Sequence, residues 1–199
     1  MGKSKSGEGN KWLKDRGEFD EEILSLADDA SIIFENTGDL LKSMKNFAGS
    51  VGEQEKKHPY GKGSSAARTY GGGMKNSASA FTRSGDQFDK LFAACSAFKD
   101  HINSAILAKL ISFKDIECKD IDQHMTQLKK AQKDYANKKG KKNPDPVMVE
   151  AAETSLKKLL EEAKGTLTKF NKVGCEVLTQ LSTDMKTGFD AYCEAGTSA

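Results

Sequence analysis

The chain has 199 residues, of which 37% are hydrophobic and 30% are charged, and its formal net charge is +2. This composition is too apolar for a disordered polymer, and the sequence has no run of about 18 apolar residues that could span a membrane. The opening sequence MGKSKSGEGNKW has no apolar core of the kind found in secretory signals, so we expect a cytoplasmic protein.

Residues 1–17 are predicted to form a flexible, basic tail that can contact a membrane. The sequence MGKSKS matches the M-G-x-x-x-[ST] pattern of N-myristoylation, which would attach an acyl chain to Gly2. One such chain binds a bilayer only weakly, so basic and apolar neighbours would have to add to it. The alternative is a polar tail with Trp12 packed against the first helix. The candidate membrane contacts of this tail are Gly2, Lys3, Lys5, Lys11, Trp12, Leu13 and Lys14.

The first predicted helix covers about residues 18–53. From Phe19 to Val51, apolar residues recur at alternating spacings of four and three, which is the heptad pattern of a coiled coil. A Gly-rich linker is predicted at 54–75, because the region from Gly49 to Gly73 holds seven glycines and a proline. Four further apolar residues widen the stripe of the first helix, so we expect it to pack against more than one neighbour. These residues are Leu24, Ile32, Phe34 and Leu41.

A second helix is predicted at about 76–139, since neither glycine nor proline occurs between Gly85 and Gly140. That uninterrupted stretch would span about 80 Å as a helix, which is more than a compact domain needs. The apolar spacing drifts between Phe113 and Ile121, which predicts a local change in helix geometry. Because a thin helical rod buries little core and the apolar stripes are wide, we expect a second copy to cover them.

A short loop at 140–145 is predicted to lead into a third helix at about 146–195. Asp145 can cap this helix and Pro146 can occupy its first position. Glycines at 165, 174 and 188 lie inside it, and each costs about 1 kcal/mol relative to alanine. They permit either close approach of a neighbouring helix or bending, and the sequence leaves both readings open. No segment alternates with period two, so the predicted fold class is all-α.

The cysteines and histidines do not form a known catalytic or metal-binding motif. The four cysteines contain no CxxC pair, the three histidines are far apart, and GxSxG, P-loop and HExxH motifs are absent. We therefore predict reduced thiols, no metal, no cofactor and no enzymatic activity.

Lysine is concentrated around the predicted turn between the second and third helices. The sequence KKAQKDYANKKGKK at 129–142 holds seven lysines and one aspartate, a local charge of +6. With no arginine and one aromatic residue, it suits a diffuse anionic surface better than nucleic acid. The alternative is a solvated loop without a partner. The candidate membrane-binding residues, including three from the third helix, are Lys129, Lys130, Lys133, Lys138, Lys139, Lys141, Lys142, Lys157, Lys158 and Lys164.

This arrangement of helices and lysines resembles a BAR domain. The two stretches that carry the resemblance are LISFKDIECKDIDQHMTQLKKAQKDYANKKGK and VEAAETSLKKLLEEAKGTLTKFN. The first is similar to the BAR pattern of an apolar turn, a mixed-charge run and a lysine-rich stretch with a tyrosine near the tip. The resemblance covers roughly residues 18–194 of a predicted helical domain at 18–195.

The resemblance implies an elongated three-helix antiparallel coiled coil that dimerises into a crescent-shaped six-helix bundle. Lysines at its tips and concave face would bind curved anionic membranes, as in proteins of membrane trafficking and endocytosis, so the chain would be a peripheral membrane protein. Lys109, Lys114 and Lys119 are weaker candidates, because acidic residues alternate with them. The alternative function is a non-enzymatic helical-bundle scaffold or adaptor that binds partner helices and has no lipid role.

Overall fold

A computed structural model describes residues 11–13, 19–52, 57–74 and 78–198, and these ranges contain helices and no strand. The all-α prediction is therefore confirmed for this part of the chain. The described residues form four helices rather than the three that the sequence predicted. These are α1 at Glu21–Val51, α2 at Pro59–Gly73, α3 at 78–139 and α4 at Pro146–Thr197.

The starts of α1 and α4 are fixed by aspartate caps. The Ile23 N–H donates to Asp20 Oδ1 at 2.8 Å, and the Val147 N–H donates to Asp145 Oδ1 at 3.0 Å. Each carboxylate satisfies a backbone donor that has no partner inside the helix, and its charge complements the positive end of the helix dipole. Pro146 occupies the first position of α4, where its missing N–H costs nothing.

The region predicted as a Gly-rich linker, 54–75, contains helix α2. Pro59 starts the helix, and His58 caps it by accepting the Tyr60 N–H at 3.3 Å. Two of its glycines lie against α3: a Cβ added at Gly63 would be 3.1 Å from the Phe88 ring, and one at Gly71 would be 2.9 Å from Phe81 Cβ. The linker prediction was wrong here because packing against α3 outweighs the low helix propensity of glycine.

Helix α3 is continuous but contains two π turns, at Ile102–Leu107 and Lys114–Cys118. At the end of the first turn the Ala108 N–H donates to the Asn103 carbonyl, which lies five residues back instead of four. The second π turn coincides with the segment where the apolar spacing of the sequence drifts. The drift therefore corresponds to a wider helical turn at this point of α3.

The chain forms two compact units. Unit 1 takes the described residues up to Gly38 together with Ser112–Val177. Two observed contacts join the three helices of this unit. Phe113 of α3 stacks on Phe170 of α4 with ring centres 5.5 Å apart, and the Asn171 amide donates to the Leu26 carbonyl of α1 at 3.0 Å. With the α3–α4 connection at 140–145, α3 and α4 run antiparallel. The core of unit 1 is formed by Trp12, Leu13, Ile23, Ala27, Ala30, Phe113, Cys118, Ile121, Met125, Leu128, Ala163, Leu167 and Phe170.

Unit 2 comprises Asp39–Ile111 and the described residues from Leu178 onward. Here α2 folds back along the first part of α3, and Arg68 forms ion pairs with Asp86 and Asp89 across that hairpin. Phe98 lies at the centre of an aromatic group, with its ring 6.1 Å from Phe47 of α1 and 5.5 Å from Tyr192 of α4.

Candidate functional site

The lysine cluster consists of the seven lysines in residues 129–142 and lies in unit 1, where α3 ends and the loop at 140–145 begins. Lys138 and Lys139 occupy the last turn of α3, where the negative end of the helix dipole stabilises cations. The Gly140 N–H continues the helical bonding by donating to the Ala136 carbonyl at 2.9 Å. Six members of the cluster are exposed, namely Lys129, Lys130, Lys133, Lys139, Lys141 and Lys142.

Little of the positive charge in the lysine cluster is neutralised by neighbouring acids. Among the described residues, only Lys138 of this cluster has a carboxylate within 4.0 Å, with its Nζ 2.7 Å from Asp134 Oδ2. The Lys139 Nζ lies 5.3 Å from the centre of the Tyr135 ring, within range of a weak cation–π contact. The other ammonium groups face solvent, so this surface has a positive potential that attracts anions.

The three candidates on α4 differ from the lysine cluster because each has an acidic partner. Lys157 pairs with Glu153 at 2.6 Å and Lys158 approaches Glu162 at 3.7 Å. Both lysine side chains are more than two-thirds exposed, and exposed pairs of this kind are weak enough to exchange for another anion. They therefore remain accessible to a negatively charged ligand.

Lys164 has a structural position instead. Its Nζ is 3.0 Å from Asp20 and 3.2 Å from Glu22, so it links α4 to the start of α1. Hydrogen bonds to these two carboxylates raise the pKa of Lys164. A headgroup phosphate would have to displace both acids, which makes Lys164 a poorer membrane contact than the sequence suggested.

The structure does not place Trp12 and Leu13 where they could contact a membrane. Trp12 is 5% exposed and Leu13 is 1% exposed, and both belong to the core of unit 1. The Trp12 ring meets Phe34 edge to face, and its Nε1 donates to Asp122 Oδ1 at 3.0 Å. The structure contradicts the membrane contact and agrees with the alternative, in which Trp12 packs against the first helix. An indole gains more from burial between helices that can also accept its N–H.

Lys11 is held beside the same aromatic pair. Its Nζ lies 3.0 Å from Asp122 Oδ1 and 3.5 Å from the centre of the Phe34 ring. Hydrogen bonds from Trp12 and Lys11 lower the pKa of Asp122. Segment 11–13 is thus attached to unit 1 by burial, by an ion pair and by a hydrogen bond. The remaining tail candidates, Gly2, Lys3, Lys5 and Lys14, lie outside the described residues.

The weaker lysine candidates of α3 lie in different units. Lys109, in unit 2, pairs with Asp184 of α4 at 2.5 Å. Lys114 and Lys119, in unit 1, are exposed, and the acidic residues Asp115 and Asp120 beside them are exposed as well. The acidic neighbours make each of these lysines a weaker anion-binding candidate than the lysine cluster.

Metal-ligating groups and the buried Cys118 thiol were the remaining candidates for chemistry among the described residues. Within the described ranges, no three His, Cys, Asp or Glu side chains are grouped so that they could hold a metal ion. Burial raises the pKa of the Cys118 thiol to about 11, so this thiol is protonated and unreactive near neutral pH. In the same ranges, no helix is both long and apolar enough to cross a bilayer.

Sequence reasoning missed two exposed apolar residues beside the lysine cluster, Val147 and Met148. They are 74% and 55% exposed in the first turn of α4. The regular apolar stripe of this helix begins only at Val149, so their position ahead of the stripe was the available signal. In the chain, this exposed apolar pair follows Lys142, the last lysine of the cluster, across the short loop that ends at Asp145.

Comparison with known proteins finds no matching family model and no matching curated protein. The likeness to BAR domains therefore rests on the two sequence stretches and on the placement of lysine, since the described residues form four helices and not three. What this surface binds has to be inferred from its own charge, exposure and packing.

Proposed function

We propose that the protein is a BAR-type module that binds anionic membranes as a homodimer and senses or generates their curvature. The observation that carries this proposal is the lysine cluster, in which six exposed ammonium groups have no carboxylate within 4.0 Å among the described residues. Anionic phospholipid is a diffuse array of phosphates, and lysine binds such an array without needing a shaped pocket. The proposed role involves no catalysis and no cofactor.

Exposed apolar side chains support the homodimer. Ile32 and Ile116 in unit 1 are 59% and 60% exposed, and Phe47 and Phe189 in unit 2 are 39% and 52% exposed. Isolated exposed apolar residues are ordinary, but a second copy would remove several large ones from water at once. In the proposed assembly, a crescent-shaped dimer of the BAR type binds as a peripheral protein to the cytoplasmic face of a membrane. Each copy presents its lysine cluster to the lipid headgroups.

The proposal is tested by co-sedimentation with small vesicles, either neutral or containing phosphatidylserine, over a salt series. The key variant is Lys138→Glu/Lys139→Glu/Lys141→Glu/Lys142→Glu. Each lysine near an anionic bilayer contributes about 1 kcal/mol, so losing four should weaken binding about 1,000-fold. Vesicles of several diameters test curvature dependence in the same assay, and analytical ultracentrifugation tests the dimer.

A matched control separates local from overall charge. Lys42→Glu/Lys45→Glu/Lys62→Glu/Lys90→Glu changes four exposed lysines in unit 2. In either quadruple variant each replacement changes the charge by −2, so the formal net charge falls from +2 to −6. We expect the control to keep most of its binding. Equal loss in both variants would show that net charge, rather than the lysine cluster, determines binding.

The second candidate function is a scaffold that binds partner helices and has no lipid role. It is favoured by an apolar groove of about 200 Å³ in unit 2, which Leu40, Met44, Ile106 and Leu178 help to line. The scaffold function would replace the first under two conditions. The wild-type protein would not sediment with anionic vesicles at low salt, and the quadruple glutamate variant of the lysine cluster would behave like the wild type in every assay.

A further inference from the structure

Val147 and Met148 expose apolar surface immediately after the loop that carries Lys141 and Lys142. Val147 is 74% exposed and Met148 is 55% exposed, although unit 1 has a well-formed core a few turns away on the same helix. Neither residue belongs to that core. Their apolar character therefore contributes little to the packing of unit 1.

The pair is held in a fixed position. Asp145 Oδ1 accepts the Val147 N–H at 3.0 Å and the Met148 N–H at 3.5 Å, and the Asp145 carbonyl accepts the Val149 N–H at 3.0 Å. Pro146 adds a fixed backbone dihedral at the first helical position. Binding would thus require little ordering of this backbone, and the Asp145 carboxylate is already engaged in capping.

The surroundings of the pair indicate which surface it fits. Lys138 and Lys139 end α3 on one side of the loop, and Lys141 and Lys142 lie within it. Apolar side chains beside several cations match an anionic bilayer, where phosphates lie above an apolar layer. A protein partner would need an apolar pocket ringed by acids, whereas a bilayer offers this layering everywhere.

We infer that Val147 and Met148 form an apolar wedge that enters the boundary between headgroups and acyl chains while the lysine cluster binds phosphates. This inference rests on the proposed function and adds to it a shallow insertion, on the order of 5–10 Å deep. Insertion on one face of a bilayer spreads its headgroups, so the wedge gives the module a way to favour curved membranes.

Insertion is measured with a Met148→Trp variant and vesicles whose acyl chains are brominated, since bromine quenches indole only at close range. The native protein contains a single tryptophan, Trp12, which is 5% exposed and serves as the internal reference. We expect the fluorescence of Met148→Trp to be quenched in phosphatidylserine vesicles and that of the wild type to be unchanged. A variant that sediments with the vesicles without being quenched would overturn the inference.

The contribution of the wedge is measured with Val147→Ser/Met148→Ser, which leaves every lysine in place. Removing two partly inserted apolar side chains should weaken vesicle binding about 10- to 100-fold. The control Tyr70→Ser/Met74→Ser removes two exposed apolar residues of unit 2, which are 65% and 47% exposed, and should bind like the wild type. Circular dichroism verifies the helix content of both variants.

The outcomes distinguish the two proposals. If the wild type does not bind anionic vesicles, the proposed function fails and the wedge fails with it. If the wild type binds and the serine variant binds equally well, the wedge alone is wrong and the lysine cluster acts at the surface of the headgroups. The same result would leave the apolar pair available to a protein partner.

Discussion

Two glycines of α4 should respond in opposite ways to the same substitution. Both glycines lie on α4 within unit 1, so the two substitutions are compared in the same helix of the same unit. A Cβ added at Gly165 would meet nothing within 4 Å. A Cβ added at Gly174 would lie 2.8 Å from Ile33 Cγ2 and 3.4 Å from Phe113 Cζ. Gly174 therefore permits α1 and α3 to approach α4 closely, whereas Gly165 has no such role.

The expected magnitudes follow from two opposing effects. Replacing glycine by alanine inside a helix stabilises it by about 1 kcal/mol, and this gain applies at both positions. At Gly174 the added methyl group also overpacks a buried contact, which costs about 1–3 kcal/mol. We expect Gly165→Ala to raise the free energy of unfolding by up to about 1 kcal/mol, and Gly174→Ala to lower it by about 0–2 kcal/mol.

Thermal unfolding followed by circular dichroism measures the difference. For a chain of this size, 1 kcal/mol corresponds to about 2–4 °C in Tm. Ile33→Ala removes the side chain that the new methyl group would meet, so Gly174→Ala should cost less in that background. Equal stabilisation by both glycine replacements would refute the close approach of α1 to α4 at Gly174.

The remaining predictions concern single groups. Because Trp12 and Lys11 lower the folded-state pKa of Asp122, its contribution to stability is present above its unfolded pKa of about 3.9 and is lost as pH falls through the lower folded value. The fluorescence of Trp12 should shift to the red in that range, and an Asp122→Asn variant should lack this transition. Iodoacetamide should modify the exposed Cys175 and Cys193 rapidly in the folded protein, but Cys118 only after unfolding. Mass spectrometry of the alkylated sites checks this order, and early modification of Cys118 would contradict its burial.

Short-range signals in the sequence were sufficient for the start of α4 and for the lysine cluster. The pair Asp145 and Pro146 forms a cap in the structure because the cap depends only on adjacent residues. Exposure of the lysine cluster follows from charge, since an unpaired ammonium group is costly to bury. Dimerisation, lipid binding and curvature are not decided by such local signals and stay predictions.

Long-range packing decides the features that the sequence did not reveal. Trp12 reaches its hydrogen-bond partner Asp122 across 110 positions of the chain, so no local pattern marks it as buried. The glycine-rich sequence of α2 is typical of a linker. Its helical structure depends on the contacts of its glycines with Phe81 and Phe88 of α3, which the local sequence does not reveal. In both cases the residue type is compatible with two environments, and the tertiary contact decides which of them it occupies.

The π turn at Lys114–Cys118 is one place where α3 can change its length. A π turn holds one residue more than the α turn it replaces, while each α-helical residue rotates the chain by about 100°. Losing one residue here would let the turn relax to α geometry and keep Ile121 and Met125 facing the core of unit 1. The same deletion a few residues later would rotate the following side chains away from their neighbours. In evolutionary terms, the gene can lose one codon at this turn while the helix retains its packing.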